Sequence, residues 1–154
     1  MSATLYLLVG VPGAGKTTWA LQHPELVHIS SDAIRKELFG KEMTLRGYHR
    51  VHRIMMARAL DHLAAGRDVV LDSAHVSLSS RRKVLRAMPD DVRAVAVHIA
   101  TPVPQALVNN QMRERHVPKL GICISGKRLV EPTEEEGFDC VMRVQKDSRV
   151  RARA

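Results

Sequence analysis

The chain has 154 residues, 45% of them hydrophobic, and its 24 Lys and Arg against 16 Asp and Glu give a formal net charge of +8. This length is typical of a single domain with a substantial core, and no apolar run approaches the ~20 residues needed to span a bilayer. Only 3% of the residues are aromatic, which argues against nucleic-acid binding by stacking platforms.

The positive charge favours a polyanionic partner or substrate, because Lys and Arg attract phosphates. Part of the excess lies in segment 149–154, which we expect to be a basic, solvated tail. The first strand leaves no room for a signal peptide, and Cys123 and Cys140 form no C-x-x-C pair. We therefore expect a cytoplasmic protein with reduced thiols and no membrane association.

The first predicted element is an apolar strand over residues 5–9, which runs into Gly10-Val-Pro-Gly-Ala-Gly-Lys-Thr17. This segment fits the phosphate-binding pattern G-x-x-x-x-G-K-[ST] in its required setting, between a strand and a helix. Lys16 supplies charge for the outer phosphates, and the Thr17 hydroxyl can ligate Mg²⁺. The sequence therefore predicts a nucleoside triphosphate site formed by Gly10, Pro12, Gly13, Ala14, Gly15, Lys16, Thr17 and Thr18.

Strand and helix patterns alternate through the rest of the chain. Further strands are predicted at residues 26–30, 69–72, 92–99 and 138–144. Helices are predicted at residues 15–22, 31–40, 48–65, 78–88 and 104 to about 115. We interpret segment 116–137 as a mobile connection between a lid and the core, with some helix. The alternation predicts an α/β fold of the P-loop NTPase type, a parallel sheet covered by helices on both faces. We expect one domain over residues 1–148, with a helical lid at about 103–130, before the tail.

Two carboxylates follow predicted strands, at the edge of the sheet where open α/β folds bind ligands. Asp32 and Arg35 share a helix face, so Asp32 could take a proton from an attacking hydroxyl while Arg35 holds an anionic group of the acceptor. The alternative for Asp32 is a helix cap. Asp72 ends the third strand and is placed to organise Mg²⁺, with a turn or cap role as its alternative.

A further candidate is the predicted helix around residues 109–115, which could project guanidinium groups over the phosphates. A cation there would stabilise the charge that phosphoryl transfer places on the equatorial oxygens. The alternative is a solvated helix face with Glu114 and Arg115 exposed.

These segments resemble the polynucleotide 5′-hydroxyl kinase family over most of residues 4–144. The motifs that carry the resemblance are the phosphate loop with Ser31-Asp-Ala-Ile-Arg35, Val69-Val-Leu-Asp-Ser-Ala-His75 with Arg81-Arg82, and Asn109-Asn-Gln-Met-Arg113 with Glu131-Pro132 and Glu136-Gly-Phe-Asp139.

The resemblance implies ATP and Mg²⁺ as cofactors and direct transfer of the γ-phosphate to a hydroxyl. It implies that Asp32 is the general base, that Arg35 contacts the acceptor's phosphate and that Arg113 contacts the donor phosphates. Lys16 and Thr17 would serve ATP and Mg²⁺. The second predicted metal residue, Asp72, is inferred from its place after the third strand and not from the resemblance. The chain departs from the family pattern at Asn109, where Arg is usual, and at Ser73-Ala-His75, where x-Thr-Asn is usual.

The leading hypothesis is a kinase for the 5′-hydroxyl end of DNA or RNA, with nucleic acid as substrate and no obligate protein partner. A small-molecule kinase for a nucleoside, sugar acid or antibiotic hydroxyl is the first alternative, and a nucleotide-binding switch without an acceptor is the second. A basic groove would count against a small neutral acceptor. Its candidate residues are Arg35, Lys36, Arg46, Arg50 and Arg53.

Overall fold

The computed structural model describes residues 2–40, 47–113 and 117–145 of the chain. The described strands are Thr4–Val9 (β1), Val27–Ser30 (β2), Val69–Asp72 (β3), Arg93–Ile99 (β4) and Cys140–Val144 (β5). The described helices are Lys16–Leu21 (α1), Ser31–Phe39 (α2), Tyr48–Ala64 (α3), Leu78–Ala87 (α4), Val103–Gln111 (α5) and Lys119–Arg128 (α6). The predicted tail and Arg46 lie outside the described residues.

The five strands form one parallel sheet in the order β2-β3-β1-β4-β5. Parallel neighbours need crossover connections, and the helices supply them. The registers pair Ser30 with Asp72 and Leu7 with Leu71, so β1, β2 and β3 end at the same edge of the sheet. The predicted α/β fold of the P-loop NTPase type is confirmed.

The core has two parts, one on each face of the sheet. Leu5 and Leu7 of β1 pack on the face covered by α2, α3 and α4, and Leu8 packs on the face covered by α1, α5 and α6. This alternation along one strand is the period of two that strand geometry dictates. No helix in the described ranges has the length and apolarity that a membrane span requires.

Two of the helices on the first face, α2 and α4, begin at serine caps. Ser30 Oγ accepts the N–H of Ala33 at the start of α2, and Ser77 Oγ accepts the N–H of Ser80 at the start of α4. Each cap satisfies a backbone donor that the first turn leaves unpaired. Because Ser30 fills the cap position, the alternative role of Asp32 as the cap of α2 is wrong.

The predicted helix from 104 to about 115 is wrong at its end, because α5 stops at Gln111. Its last turn tightens, with Met112 and Arg113 donating to backbone oxygens three residues back. The amide of buried Asn110 then exchanges two hydrogen bonds with the backbone of Val117, at 2.7 and 2.8 Å. These bonds hold the chain at Val117 against the helix.

The segment 116–137 contains more regular structure than its Pro and Gly content suggests. It holds the ten residues of α6 and a short 3₁₀ turn, Glu134–Glu136, which begins with a capping box at Thr133. The prediction of some helix is confirmed. The final strand begins at Cys140 rather than at residue 138, because Phe138 packs into the core before the strand starts.

Candidate active site

The phosphate-loop segment 10–17 lies at the carboxyl end of β1 and leads into α1. Gly13 and Gly15 have φ angles of 83° and 107°, in a region that glycine adopts without strain. Position 13 also lacks space for a side chain, because a Cβ there would lie 2.6 Å from the backbone oxygen of Ala106. These two glycines are therefore required by the shape of the loop and by its contact with α5.

Two side chains outside the loop hold its backbone in place. Thr101 Oγ1 donates to the carbonyl of Ala14 at 2.7 Å, and Asn109 Nδ2 donates to the carbonyl of Gly13 at 2.9 Å. Asn109 is a position where the sequence departs from the family pattern. Asn109 therefore contacts the phosphate loop through a neutral amide, where the family pattern has the cation of an arginine.

Lys16 folds back over the loop that carries it. Its Nζ donates to the backbone oxygens of Gly10 and Val11, at 2.9 and 3.0 Å. Burial lowers the pKa of Lys16 to about 8, although the charges of Asp72 and Asp32 act in the opposite direction. A phosphate group near Nζ would favour the charged form in the same way as these carboxylates.

Asp72 is the centre of a hydrogen-bonded group at the end of β3. Thr17 Oγ1 donates to its Oδ2 at 2.7 Å, and His28, in the tautomer with a proton on Nε2, donates to the same oxygen at 2.9 Å. Burial alone would raise the pKa of Asp72, but the bonds from His28 and Thr17 and the charge of Lys16 hold it below its usual value. An ionised carboxylate beside a hydroxyl oxygen fits the oxygen ligands that Mg²⁺ prefers.

Asp32 and Arg35 lie on the first turns of α2 and contact each other. Arg35 Nη1 donates to Asp32 Oδ1 at 3.0 Å and to Ser31 Oγ at 3.2 Å. The Asp32 side chain is 46% exposed, whereas that of Arg35 is 17% exposed. The carboxylate is therefore accessible to an acceptor, and the guanidinium is held beside it.

Arg113 reaches the same region from the turn that follows α5, and not from the helix itself. Its charge acts on Lys16, lowering the pKa of that lysine. Arg113 therefore lines the cavity as predicted, but from a turn and not from the predicted helix. The other residues of the alternative solvated face, Glu114 and Arg115, lie outside the described ranges.

The predicted residues surround a cavity of about 590 Å³ at the carboxyl edge of the sheet. Ten of them line it: Pro12, Gly13, Gly15, Lys16, Thr17, Thr18, Asp32, Arg35, Asp72 and Arg113. The remaining two, Gly10 and Ala14, are buried and do not line the cavity. Gly10 lies against the backbone of Ile99, so its place is in the packing of the loop.

A second cavity of about 250 Å³ adjoins the first and shares four residues with it. The shared residues are Ser31, Arg35, Ser73 and Ala74. It is bounded by α3 and α4, through residues that include His52 and Lys83, and by His75. Most of the predicted basic groove lines neither cavity, because its members Lys36, Arg50 and Arg53 are exposed elsewhere. Among the groove residues in the described ranges, only Arg35 lines the two cavities.

His75 lines the second cavity in a strained backbone conformation, with a φ of 46°. Its Nδ1–H is directed at the carbonyls of Leu8 and Ser73, and burial lowers its pKa to about 4, so the ring is neutral at pH 7. Arg81 donates to the carbonyl of His75 and pairs with Glu136 at 2.7 Å in the interior. This buried ion pair holds one wall of the second cavity.

Sequence reasoning missed His28 as a member of the site. The residue lies in β2 two positions before Ser30, and its side chain reaches Asp72 on the neighbouring strand. The available signal was a histidine between the apolar residues Val27 and Ile29 of the strand. The signal identifies no partner, because the partner is 44 residues away in the chain.

A family model described as an AAA domain matches residues 5–120 of the chain. The match covers more than half of the sequence, so the chain belongs to this family. With the parallel sheet and the phosphate loop at its carboxyl edge, the chain is a phosphate-loop domain. No curated protein sequence matches it.

Solved structures with the same fold include several kinases. A chain of the Pnkp1/Rnl/Hen1 RNA repair complex has a TM-score of 0.76 and 22% identity, and the match covers 96% of this chain and 50% of that chain. A gluconokinase from Sinorhizobium meliloti 1021 has a TM-score of 0.58 and 19% identity, covering 94% and 82% of the two chains. Shikimate kinase from Acinetobacter baumannii in complex with shikimate has a TM-score of 0.53 and 18% identity, covering 99% and 90%. This chain therefore spans about half the length of the RNA repair chain, and the likenesses show the fold.

Proposed function

We propose that the chain is an ATP-dependent kinase that transfers the γ-phosphate to the 5′-hydroxyl end of DNA or RNA. The observation that carries the proposal is the position of Asp32 and Arg35, ion-paired at 3.0 Å where the phosphate-loop cavity adjoins the second cavity. A donor phosphate on one side and an acceptor hydroxyl on the other would meet at this pair.

The donor side of this reaction depends on the phosphate loop. Its backbone N–H groups and the N-terminus of α1 suit the phosphates of ATP, and Lys16 adds a charge for the outer phosphates. Thr17 and Asp72 would hold Mg²⁺ through their oxygens. When bound there, Mg²⁺ would supply positive charge against the phosphates.

On the acceptor side, Asp32 accepts the proton of the attacking hydroxyl as the new P–O bond forms. The bond between the γ-phosphorus and the β,γ-bridging oxygen breaks, and ADP leaves. Arg35 binds an anionic group of the acceptor, and Arg113 stabilises the charge on the transferred phosphoryl group.

Four observations support a nucleic-acid end as the acceptor. The net charge of +8 suits a polyanion. The site motifs resemble those of polynucleotide 5′-hydroxyl kinases, and the fold matches a chain of an RNA repair complex. Arg35 also borders both cavities, where an acceptor phosphate would lie next to the reacting hydroxyl.

A kinase for a small anionic acceptor is the second candidate. The second cavity, at about 250 Å³, is large enough for a sugar acid, and several of its wall residues are serines. The gluconokinase and shikimate kinase matches are consistent with this alternative.

The test is transfer of labelled phosphate from γ-labelled ATP to 5′-hydroxyl DNA and RNA oligonucleotides, nucleosides and sugar acids, with Lys16→Ala as the control. Label on the oligonucleotides that disappears in the variant supports the proposal. Label on a small molecule alone would replace it with the second candidate. ATP binding without any transfer would indicate a nucleotide-binding switch.

A further inference from the structure

Three consecutive cations at the centre of α4 have different surroundings. Arg81 points into the interior and pairs with Glu136, with a side chain that is fully buried. Arg82 and Lys83 point outward, and Arg86 lies on the same face because it follows them by one helical turn. Together with Ser79 they line an open groove along the outer surface of the helix.

This groove continues the site already described. Lys83 lines both the groove and the second cavity, and the second cavity shares Arg35 with the phosphate-loop cavity. A path of cationic side chains therefore leads from the point of phosphoryl transfer, past Lys83, to Arg82 and Arg86.

The outer cations of α4 have no neutralising partner in the part of the chain that the structure describes. In residues 2–40, 47–113 and 117–145, Arg82, Lys83 and Arg86 make no ion pair or side-chain hydrogen bond. By contrast, the exposed Arg58 on α3 pairs with Glu37 at 2.8 Å. The charge of Lys83 also acts on the second cavity. Burial is the largest cause that lowers the pKa of His52, and the charge of Lys83 is the second.

We propose that the outer face of α4 binds the backbone of a nucleic-acid single strand whose 5′ end occupies the second cavity. The inference rests on the proposed function and extends it from the reacting end to the strand behind that end. From Ser79 to Arg86 the helix rises by roughly 10 Å, which matches about three nucleotides of a stacked strand. The contacts are to phosphates, so binding is independent of base sequence and sensitive to salt.

Equilibrium binding provides the first measurement. The probe is a fluorescent 5′-hydroxyl oligonucleotide of about 12 nucleotides, titrated at several salt concentrations. Each lost phosphate contact lowers the salt slope for a single strand by about 0.7, so Arg82→Ala/Arg86→Ala lowers it by about 1.4. The matched control is Arg93→Ala, because Arg93 is exposed at the start of β4, on the opposite edge of the sheet.

Transfer kinetics provide the second measurement. For the wild-type protein we expect kcat/KM to be higher for the long oligonucleotide than for a nucleoside 3′-monophosphate, so that the ratio of the two exceeds one. It falls by about tenfold in Arg82→Ala/Arg86→Ala. It stays unchanged in Arg93→Ala, and the charge-retaining variant Arg82→Lys/Arg86→Lys keeps most of it.

The outcomes separate the two proposals. Equal kcat/KM for both acceptors, or a salt slope that the alanine substitutions leave unchanged, overturns the α4 path while the kinase activity stands. Transfer to sugar acids with none to either nucleic-acid acceptor overturns the proposed function, and the strand path with it. Length dependence that is lost in the alanine variant and retained in the lysine variant supports the path.

Discussion

The two sides of the candidate site differ in how their charges are satisfied. On the phosphate-loop side, Lys16 donates to carbonyls of its own loop, and Asp72 accepts from Thr17 and His28. On the side of the second cavity, Lys83 has no ion pair or hydrogen-bond partner among the described residues. In the same ranges, the side-chain hydrogen bonds of Arg35 go to Ser31 and Asp32 of its own helix.

The difference shows that the two sides are built in different ways. The phosphate loop is a local structure in which Lys16 bonds to the loop's own carbonyls, and Thr101 and Asn109 support it from outside. The second cavity is assembled from α2, α3 and α4, and its wall depends on the Arg81–Glu136 pair between distant segments. Charge remains available on this side for a ligand.

The largest effect is expected at the boundary between the two sides. Asp32→Asn retains the shape and the contact with Arg35 but cannot take up a proton, so the transfer rate falls by about 10²–10⁴. The affinity for ATP stays close to that of the wild type. Single-turnover transfer and ATP titration measure the two quantities, with Asp61→Asn, exposed on α3, as the control. Full activity in Asp32→Asn would show that another group is the base.

The second prediction concerns the wall of the second cavity. Arg81→Met leaves Glu136 as an unpaired buried carboxylate, so the free energy of unfolding falls by about 3–5 kcal/mol. Urea unfolding measures this change. Arg81→Met/Glu136→Leu regains part of the loss because the unpaired charge is also removed. A single variant as stable as the wild type would mean that the pair does not hold this wall.

The third prediction separates function from stability at Lys16. Lys16→Met lowers the transfer rate by about 10²–10³, since it removes a charge that stabilises the transition state. The pKa of Lys16 is about 8 in the folded chain, against an ordinary value of 10.5, so at pH 7 keeping the partly desolvated ammonium charged opposes folding. The variant is therefore more stable than the wild type at pH 7, by on the order of 1–3 kcal/mol.

The same pKa sets the pH dependence of this difference. Between pH 8 and 10.5 the unfolded chain binds a proton that the folded chain has released, so wild-type stability rises with pH relative to the variant. The gain in Lys16→Met should disappear as the pH approaches 10.5. Denaturant unfolding at several pH values tests this, and a constant difference would contradict the lowered pKa.

The smallest effect is expected at His28, which supports Asp72 from the neighbouring strand. His28→Ala removes one hydrogen bond from the carboxylate, so the Mg²⁺ concentration needed for half-maximal transfer rises by about tenfold. His28→Gln can donate in the same place and should recover part of the loss. Mg²⁺ titration of both variants is the measurement, and an unchanged requirement would exclude a supporting role for His28.

Some elements could not be read correctly from local patterns. Gly126 looks like a helix breaker in the sequence, yet it lies within α6. A Cβ at this position would lie 2.4 Å from Val103 Cγ2, so the glycine allows α6 and α5 to pack closely. The end of α5 is likewise set by the bonds between Asn110 and Val117, which no periodic pattern reports.

The sequence by itself determined the order of strands and helices, the phosphate loop and the carboxylates at the sheet edge. These depend on short-range periodicity and on backbone properties of Gly, Lys and Thr within one segment. The tertiary structure alone decided that Arg81 is buried while Arg82 is exposed, that His28 meets Asp72, and that two cavities adjoin at Arg35. Burial and ion pairing depend on segments far apart in the chain, and those contacts exist only once the sheet and its helices have packed.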